Sequence, residues 1–581
     1  MAAVQTAMTA QVPGQTQPPR SPAARRLARP RPVRRGTGTG AGVLCVLLLL
    51  GACQMAPADG PRIVNLYNFI RNSDYRVPHS EEVLFEATRR QIELIKPTGL
   101  PATWALQYDA LINPRYQKLL KEQLGPGQEI AAWWEIPRPL AEKAGLKWRG
   151  QHEWDSQANV GFSPGYAPDD RRRLLDIYMA DFKAVFGQYP RSIGSWFIDE
   201  VTLAHAAKKY GIIASCNCKD QVGTDGYTLW GGYWNQAYYP SRVNAYMPAQ
   251  TKAGQIDLPV FRMLGSDPIY QGYAGGMWTL EPVYPQAGGS AAWVGWFMNN
   301  LIHEPALAFG YTQAGQENAF GWEDMRRGLT MQVALIAERV RAGELTAMTL
   351  AQAGEWFRRK YPLTPPTSVV CRNDWRHENR KTVWYDSRFY RLNMLWEKSG
   401  FFIRDLHCFD ERVVSPTHDQ PLTTTSLAYG TLPVMDGALW SGPEKAGMWP
   451  ILLSADGKAS PLAPDGVPAV EALNHTDLSI RQPLRGGGTF LMVCRESEVS
   501  CSGVDGEGRP LAWAWELIGG APQQKNVRVV APELVSYEHD GAEYGIRLPR
   551  GGGVCQRLEN GNIRLVPAGT GGITLSLAPG R

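Results

Sequence analysis

The sequence lacks the short motifs of several large enzyme classes. It contains no GxSxG turn, no phosphate-binding loop, no HExxH motif and no GxGxxG after the first predicted strand. These absences argue against a serine hydrolase, a nucleotide-dependent enzyme and a zincin-type protease. The nine histidines include no HxxH or HxxxH pair. We therefore predict neither a cofactor nor an essential metal.

The chain also lacks a net positive charge outside the amino terminus. The formal charge of +5 arises there, because residues 1–53 contain seven arginines and no lysine, aspartate or glutamate. Subtracting those seven charges from +5 leaves −2 for the rest of the chain. No basic stripe occurs past residue 60, whereas a nucleic-acid-binding protein needs one. Nucleic acid is therefore not a predicted partner.

The amino terminus has the pattern of an export signal. Residues 41–50 are an apolar run that follows Arg34 and Arg35, and its length suits a signal peptide but is too short to span a bilayer. The run ends Leu-Gly-Ala-Cys, which resembles the lipobox of bacterial lipoproteins. That resemblance implies cleavage before Cys53 and a lipid on its sulfur, with Gln54 favouring the outer membrane or cell surface. An ordinary secretory signal is the alternative. Either way, we expect an exported protein in the cell envelope.

The pattern of the remaining chain predicts two kinds of structure. Strand-like runs alternate with helical segments up to about residue 361, which is typical of a parallel α/β fold. From Pro365 and Pro366 onward, short alternating runs separated by Gly and Pro indicate an all-β region. We predict a signal segment (1–53), a distorted seven-stranded (β/α) barrel (54–362) and a β-sandwich-like domain (363–581). The predicted barrel strands are 62–71, 101–108, 129–136, 192–199, 212–218, 260–264 and 306–311.

Acidic residues stand at or just after several predicted strand ends, which meet at one edge of a parallel barrel. Glu135 follows Trp133 and Trp134, and an indole neighbour raises a carboxyl pKa as a general acid requires. Asp199 ends an apolar strand. Glycoside hydrolysis uses two carboxyl groups, so Glu135 and Asp199 are the predicted catalytic pair. The further candidates are Asp109, Glu200, Asp220, Asp267 and Glu317. The structural alternatives are an ion pair of Glu135 with Arg138 and a helix cap by Asp199.

Aromatic residues are concentrated in the loop after the fifth predicted strand. Twenty tryptophans and twenty-three tyrosines exceed what a core of this length needs, and aromatic faces stack on sugars. The predicted substrate-binding residues are Trp134, Trp196, Asp225, Tyr227, Trp230, Tyr233 and Trp234. Part of this set has a core alternative, and Asp225 before Gly226 has a turn alternative. The predicted partner is a carbohydrate.

Three segments together resemble the glycoside hydrolase/deacetylase (β/α)-barrel superfamily. They read PATWALQYDAL, QEIAAWWEI and FGQYPRSIGSWFIDEVTLAHAAKKYGI. This superfamily includes polysaccharide deacetylases and glycoside hydrolase families 38 and 57. The resemblance covers about residues 62–361 and is nearest to an uncharacterised bacterial subgroup labelled glycoside hydrolase. It implies a carbohydrate-active enzyme.

The sequence departs from the deacetylase pattern of that superfamily. The first strand ends Asn68-Phe69-Ile70-Arg71 instead of the Asp-Asp pair, and the HxxxH-type metal motif is missing. We therefore predict a glycoside hydrolase. Two alternatives remain open. One is a metal-dependent deacetylase with His152, Asp109 and Asp199 as ligands, and the other is a non-catalytic glycan-binding lipoprotein.

Overall fold

The computed structural model describes residues 60–224, 226–454, 458–539, 541–569 and 571–579, all within one compact unit. The predicted lipidation residue Cys53 and the predicted substrate-binding residue Asp225 lie outside these ranges. The division at residue 362 stays a prediction. Within the described ranges, no helix combines the length and apolar character that a membrane crossing requires.

The first part of the chain forms a nine-stranded, nearly closed sheet flanked by helices. Its strands follow the order β12-β1-β2-β3-β4-β5-β11-β8, and β13 also pairs with β1. The strand pairs of this sheet are parallel except that β8 lies antiparallel to β11. The strands of this sheet are β1 (Arg62–Ile70), β2 (Thr103–Leu106), β3 (Glu129–Trp133), β4 (Ser192–Gly194), β5 (Ala214–Asn217), β8 (Ala237–Tyr238), β11 (Val260–Arg262), β12 (Gly310–Ala314) and β13 (Thr346–Met348).

Short strands and nine helices complete this part of the described chain. The short strands are β6 (Gln221–Thr224), β7 (Tyr227–Leu229), β9 (Pro240–Ser241) and β10 (Asn244–Pro248). The helices are α1 (Ser80–Ile95), α2 (Tyr108–Ile112), α3 (Pro114–Gln123), α4 (Arg138–Lys143), α5 (Pro168–Phe186), α6 (Glu200–Tyr210), α7 (Ala291–His303), α8 (Gly321–Arg341) and α9 (Leu350–Lys360).

The central strand shows why the sequence folds this way. All nine residues of β1, RIVNLYNFI, are buried, because helices cover one face of a parallel sheet and the barrel interior lies on the other. Its first half pairs with β12 and β13, and its second half with β2. The α8 helix buries Met325, Leu329, Val333 and Ile336, which recur at helical spacing. Within the barrel-like sheet, β1 pairs with three other strands, β2, β12 and β13.

The second part is all-β apart from the short helix α10 (Gly520–Asn526). One large sheet runs β14-β15-β16-β17-β20-β26-β31-β30, with β19 on β17 and β21 on β20, and the other runs β22-β23-β24-β25-β32-β29-β28-β27. Phe401 of the first sheet and Phe490 of the second have ring centroids 5.5 Å apart, so these sheets pack face to face.

The strands of this part are β14 (Thr367–Cys371), β15 (Lys381–Asp386), β16 (Tyr390–Glu397), β17 (Gly400–Cys408), β18 (Leu427–Ala428), β19 (Leu432–Asp436), β20 (Gly447–Leu453), β21 (Ala459–Pro461), β22 (Ala469–Ala472), β23 (Leu478–Pro483), β24 (Thr489–Cys494), β25 (Glu498–Val504), β26 (Trp513–Ile518), β27 (Val527–Ala531), β28 (Leu534–His539), β29 (Ala542–Arg547), β30 (Gly553–Arg557), β31 (Ile563–Pro567) and β32 (Gly572–Ser576).

The predicted α/β class followed by β-sheets agrees with this architecture at the level of a barrel-like sheet. The prediction of seven strands is not confirmed, since β8 and β13 join the same sheet. Strand β12 also begins four residues later than predicted. Leu307 has a positive φ of 59°, and a residue in that conformation interrupts an extended strand.

Candidate functional site

Four polar residues follow the ends of neighbouring parallel strands. Arg71 follows β1, Gln107 follows β2, and Glu135 and Glu317 lie two and three residues past β3 and β12. The carboxyl ends of these strands share one edge of the sheet, which is where barrel enzymes place their chemistry. We call this edge, with Arg71, Gln107, Glu135 and Glu317, the mouth.

Arg71 joins the two glutamates of the mouth. Its Nε and Nη2 donate to Glu135 Oε2 and Oε1 at 2.9 and 2.7 Å, and its Nη1 donates to Glu317 Oε2 at 2.6 Å. Gln107 Nε2 also donates to Glu135 Oε2. The Arg71 guanidinium carbon lies 4.1 Å from the centroid of the Trp154 ring, a cation–π contact. A bidentate guanidinium fixes a carboxylate in position as well as in charge.

The two glutamates differ in their hydrogen bonding. Glu135 is fully buried, and both its oxygens accept hydrogen bonds from Arg71. Glu317 accepts one bond from Arg71. Burial raises the pKa of Glu317 to about 7, although the positive charge of Arg71 acts in the opposite direction. The mouth thus holds two carboxyl groups, and the raised pKa of Glu317 leaves that group partly protonated near pH 7.

Asp109 lies beside this pair without joining it. It accepts backbone N–H bonds from Asn72, Ser73 and Ala110 at 3.1, 3.0 and 2.6 Å. Burial raises the pKa of Asp109 to about 6, while these N–H groups oppose the shift. Asp109 holds the loop after β1 that carries Arg71, so its geometry is that of a positioning residue.

Aromatic rings form the floor of the mouth. Phe69 stacks on Trp133 with centroids 3.9 Å apart, and Trp196 meets both rings edge-on at 5.1 and 5.8 Å. Lys219 Nζ lies 5.5 Å from the Trp196 ring and forms an ion pair with Glu281 Oε1 at 2.7 Å. We call Phe69, Trp133 and Trp196 the aromatic floor. Of these, Trp196 is the most exposed, at 8%.

The contacts of Asp199 are those of a helix cap, which is the structural alternative to a catalytic role. It is the residue before α6, where its Oδ1 accepts from Thr202 N at 2.9 Å and its Oδ2 from Thr202 Oγ1 at 2.7 Å. The buried Arg171 and Ser163 also donate to it. Both oxygens are therefore committed to a helix cap and a buried ion pair. A catalytic role for Asp199 stays an untested prediction.

We expect the Asp199→Ala variant to lose about 3–5 kcal/mol of unfolding free energy, because it removes a helix cap and leaves the buried Arg171 without its carboxylate. Urea unfolding of the purified protein measures this loss. The matched control is Asp169→Ala, whose side chain is exposed in the first turn of α5 and whose ion pair contributes about 0–1 kcal/mol. Equal stabilities of the two variants would contradict a structural role for Asp199.

The other predicted acids are held by partners away from the mouth pair. Glu200 Oε1 contacts His418 Nδ1 at 2.8 Å, and Asp220 pairs with both Arg262 and Arg391. Asp267 accepts from Trp293 Nε1 at 2.8 Å and from Trp375 Nε1 at 3.0 Å. These contacts connect the barrel-like part to later loops and strands. Of the further candidates, only Glu317 contacts the same guanidinium as Glu135.

The predicted substrate-binding aromatics are buried, and most lie in packing contacts. Trp234 stacks on Trp384 with centroids 3.8 Å apart, Trp230 Nε1 donates to Asp436, and Tyr233 Oη donates to the Pro365 carbonyl. Trp134 and Tyr227 are likewise buried. Only Trp196 of this set belongs to the aromatic floor. A substrate contact for the other rings stays a prediction.

Sequence reasoning missed the roles of Arg71, Lys219 and Gln107, which belong to no recognisable motif. One signal in the sequence was Arg71 itself, which directly follows the strand-like run RIVNLYNFI. In the structure this arginine is fully buried. A charged residue in that position needs a buried counter-charge, but the sequence does not say which one.

The mouth does not fit a metal ion. The Arg71 guanidinium already lies between the carboxylates and supplies the positive charge. His152 stacks on Tyr75 at 4.3 Å, Asp109 accepts backbone N–H groups, and Asp199 caps α6. In the part of the chain that the structure describes, none of the mouth residues belongs to a His, Cys, Asp and Glu group spaced to hold a metal.

No protein-family model and no curated protein matches the chain. Solved structures with a similar fold include a glycoside hydrolase/deacetylase candidate from Parabacteroides distasonis, with 17% identity, 64% of this chain and 91% of that chain covered, and a TM-score of 0.48. A polysaccharide deacetylase candidate from Mycobacterium smegmatis has 14% identity, 53% and 96% coverage, and a TM-score of 0.34.

A family 4 carbohydrate esterase from Streptomyces lividans has 9% identity, 50% and 93% coverage, and a TM-score of 0.24. The structural neighbours thus carry names from the glycoside hydrolase and polysaccharide deacetylase classes. Identities and TM-scores this low do not place the chain in a family. Its function has to be inferred from the residues of the mouth.

Proposed function

We propose that this protein is a glycoside hydrolase that cleaves a polysaccharide or oligosaccharide at the mouth. The observation that carries the proposal is the pair of carboxyl groups, Glu135 and Glu317, bound to one guanidinium at the ends of parallel strands. Glycoside hydrolysis needs one carboxyl group to protonate the leaving oxygen and one carboxylate to act as nucleophile or base.

The contacts of Glu135 and the raised pKa of Glu317 suggest the roles of the two groups. Glu317, with its pKa raised to about 7 by burial, retains a proton near neutral pH and serves as the general acid. Glu135, bound to Arg71 and Gln107, is the carboxylate that acts as nucleophile or base. Glu317 thus replaces Asp199 in the proposed catalytic pair.

The aromatic floor supplies a surface suited to a sugar. Sugar rings present C–H groups that pack on aromatic faces, and Trp196 lies beside the mouth with Lys219 over its ring. Tyr75 and His152 form an exposed stacked pair at the rim, with Ser156 bonded to the Tyr75 hydroxyl at 3.1 Å. We propose Trp196 and this stacked pair as substrate contacts.

A glycan-panel digest by the chain lacking residues 1–53 tests the function. We expect new reducing ends that persist in the presence of a chelator, since neither mouth carboxyl group is spaced with other ligands to hold a metal. Release of acetate that stops on chelation would instead identify a deacetylase. Binding without either product would identify a glycan-binding protein.

We also propose that the protein is exported and lipid-anchored in the cell envelope. The support is the apolar run at residues 41–50 followed by Leu-Gly-Ala-Cys. In a bacterial host, the wild-type chain should partition with membranes and incorporate labelled fatty acid, whereas Cys53→Ser should lose the label. The matched control is Cys45→Ser, eight residues earlier in the signal. Equal labelling of Cys53→Ser and the wild type would contradict the anchor.

A further inference from the structure

A second cluster of ionisable groups lies in the β-sheet part and takes no part in the proposed hydrolysis. Asp405 and His407 are on β17, two residues apart, and Asp436 ends the neighbouring strand β19 opposite Asp405. One ligand atom from each residue lies within 4.8 Å of the others, and His407 Nε2 is 3.5 Å from Asp436 Oδ2. All three side chains are almost completely buried.

Several polar atoms of this cluster have no partner. Asp405 Oδ2 and both ring nitrogens of His407 are buried without a hydrogen bond in the described ranges. Because leaving such atoms unpaired is unfavourable, native proteins nearly always give them a partner. One carboxylate oxygen of each aspartate and one ring nitrogen of His407 form a single group of ligand atoms, so one bound ion can contact all three residues and give the imidazole a partner.

The remaining carboxylate oxygens are held by donors. Asp405 Oδ1 accepts from Gly437 N at 3.0 Å, and Asp436 Oδ1 accepts from Ala438 N and Leu439 N at 3.0 and 2.8 Å. Trp230 Nε1 donates to Asp436 Oδ2 at 3.1 Å. Ligating carboxylates in metal sites are oriented by such outer hydrogen bonds. The carboxylate groups of the cluster are therefore fixed in orientation. Asp405 Oδ2 and the His407 ring still have lone pairs for a metal ion.

The nearby guanidinium groups do not neutralise the cluster. Arg391 donates to Asp220 and to the Gly232 carbonyl, and Arg262 also pairs with Asp220. Among the described residues, no lysine or arginine forms an ion pair with Asp405 or Asp436. Two buried carboxylates without a cation partner are strongly unfavourable. A divalent cation would balance their charge.

We propose that Asp405, His407 and Asp436 bind a divalent transition-metal ion. One imidazole and two carboxylates form a ligand set suited to Zn²⁺ and to similar borderline metals. Since Trp230 comes from the loop after β7 and Asp436 from β19, the ion would stabilise the contact between the barrel-like part and the β-sheet part. None of the mouth residues belongs to this ligand set, so the role of the ion is structural.

Metal analysis of the full natively purified protein tests this proposal. After expression with Zn²⁺ and Mn²⁺ in the medium, mass spectrometry should find about one divalent ion per chain, and thermal unfolding should shift to lower temperature after the metal is removed. Replacement by Co²⁺ should give visible d–d absorption bands of a site with nitrogen and oxygen ligands. Protein without bound metal under these conditions would overturn the proposal.

Two substitutions assign the metal to this cluster. Asp405→Asn and His407→Gln should each lower the metal content from about one ion per chain to near zero and abolish the Co²⁺ bands. The matched control is Asp267→Asn, another fully buried aspartate that accepts from Trp293 and Trp375, which should keep the metal. Unchanged metal content in both cluster variants would place the ion elsewhere. If either variant fails to fold, the other variant still assigns the site. The wild-type metal content and Co²⁺ spectrum show whether an ion is bound at all.

Discussion

The Glu317→Gln variant should lose about 10²–10⁴-fold in kcat on natural glycans, because a positioned general acid contributes a factor of that size. Glutamine can still accept the bond from Arg71 Nη1, which lies 2.6 Å from Glu317 Oε2. The fold should therefore survive. The loss should be much smaller on a nitrophenyl glycoside, whose leaving group departs without protonation.

The pH dependence gives an independent check on this assignment. A general acid must be protonated, and burial raises the pKa of Glu317 to about 7. Activity of the wild type should therefore fall as the pH rises through about 7, and Glu317→Gln should lack this basic limb. The control is Glu323→Gln, an exposed residue in the first turn of α8. An unchanged pH profile in Glu317→Gln would show that Glu317 is not the acid.

The sequence predicted the strands of the barrel-like part better than their contacts. Strands β1 and β3 begin at the predicted residues, because apolar runs bounded by Gly and Pro report burial directly. The fourth predicted strand extends to residue 199, but β4 ends at Gly194. A Cβ at Gly194 would lie 2.1 Å from Tyr67 Oη and 2.6 Å from Cys216 Sγ, so these two side chains leave no room for a larger residue. Residues 195–199, which follow β4, are not part of the sheet.

The candidate site depends on contacts that no local pattern encodes. Arg71 and Glu317 are 246 residues apart, and only the pairing of β12 with β1 brings them together. Glu135 was predicted from its tryptophan neighbours, yet its partner is Arg71 and not Arg138, which bonds instead to Glu142 and Glu153. The residue types were therefore predictable, but their pairing was not.

The aromatic loop after the fifth predicted strand is a second case in which the sequence did not reveal the contacts. Exposed and buried aromatics have the same sequence pattern, and Trp234 is buried because Trp384, 150 residues later, stacks on it. Trp234 therefore has the packing contact that its core alternative implies, and its role as a sugar platform stays a prediction. Trp196 keeps its place at the mouth because it precedes α6 and faces the barrel interior with Phe69.

The Arg71→Met variant should lose about 3–5 kcal/mol of unfolding free energy, because removing one partner of a buried ion-pair network leaves charges uncompensated. Glu135 and Glu317 would both lack their cation, and Met fills much of the arginine volume, so the loss is electrostatic. Denaturant unfolding at about pH 7 measures it. The control is Arg115→Met, whose ion pair with Glu82 is exposed and should contribute little to stability.

The pH dependence of Arg71→Met separates charge from packing. In the wild type, burial raises the pKa of Glu317 to about 7 although the charge of Arg71 opposes this shift. Without the guanidinium that opposition is gone, so the folded pKa of Glu317 stays above its unfolded value and the group takes up a proton on folding. Stability should then fall as the pH rises from about 4.3, the unfolded pKa of a glutamate, through about 7, because the unfolded state binds fewer protons. The double variant with Glu135→Gln removes one carboxylate and should recover part of the loss at the higher pH. No recovery would mean that Arg71 stabilises the fold through its contacts with Trp154 and Phe69 rather than through the two glutamates.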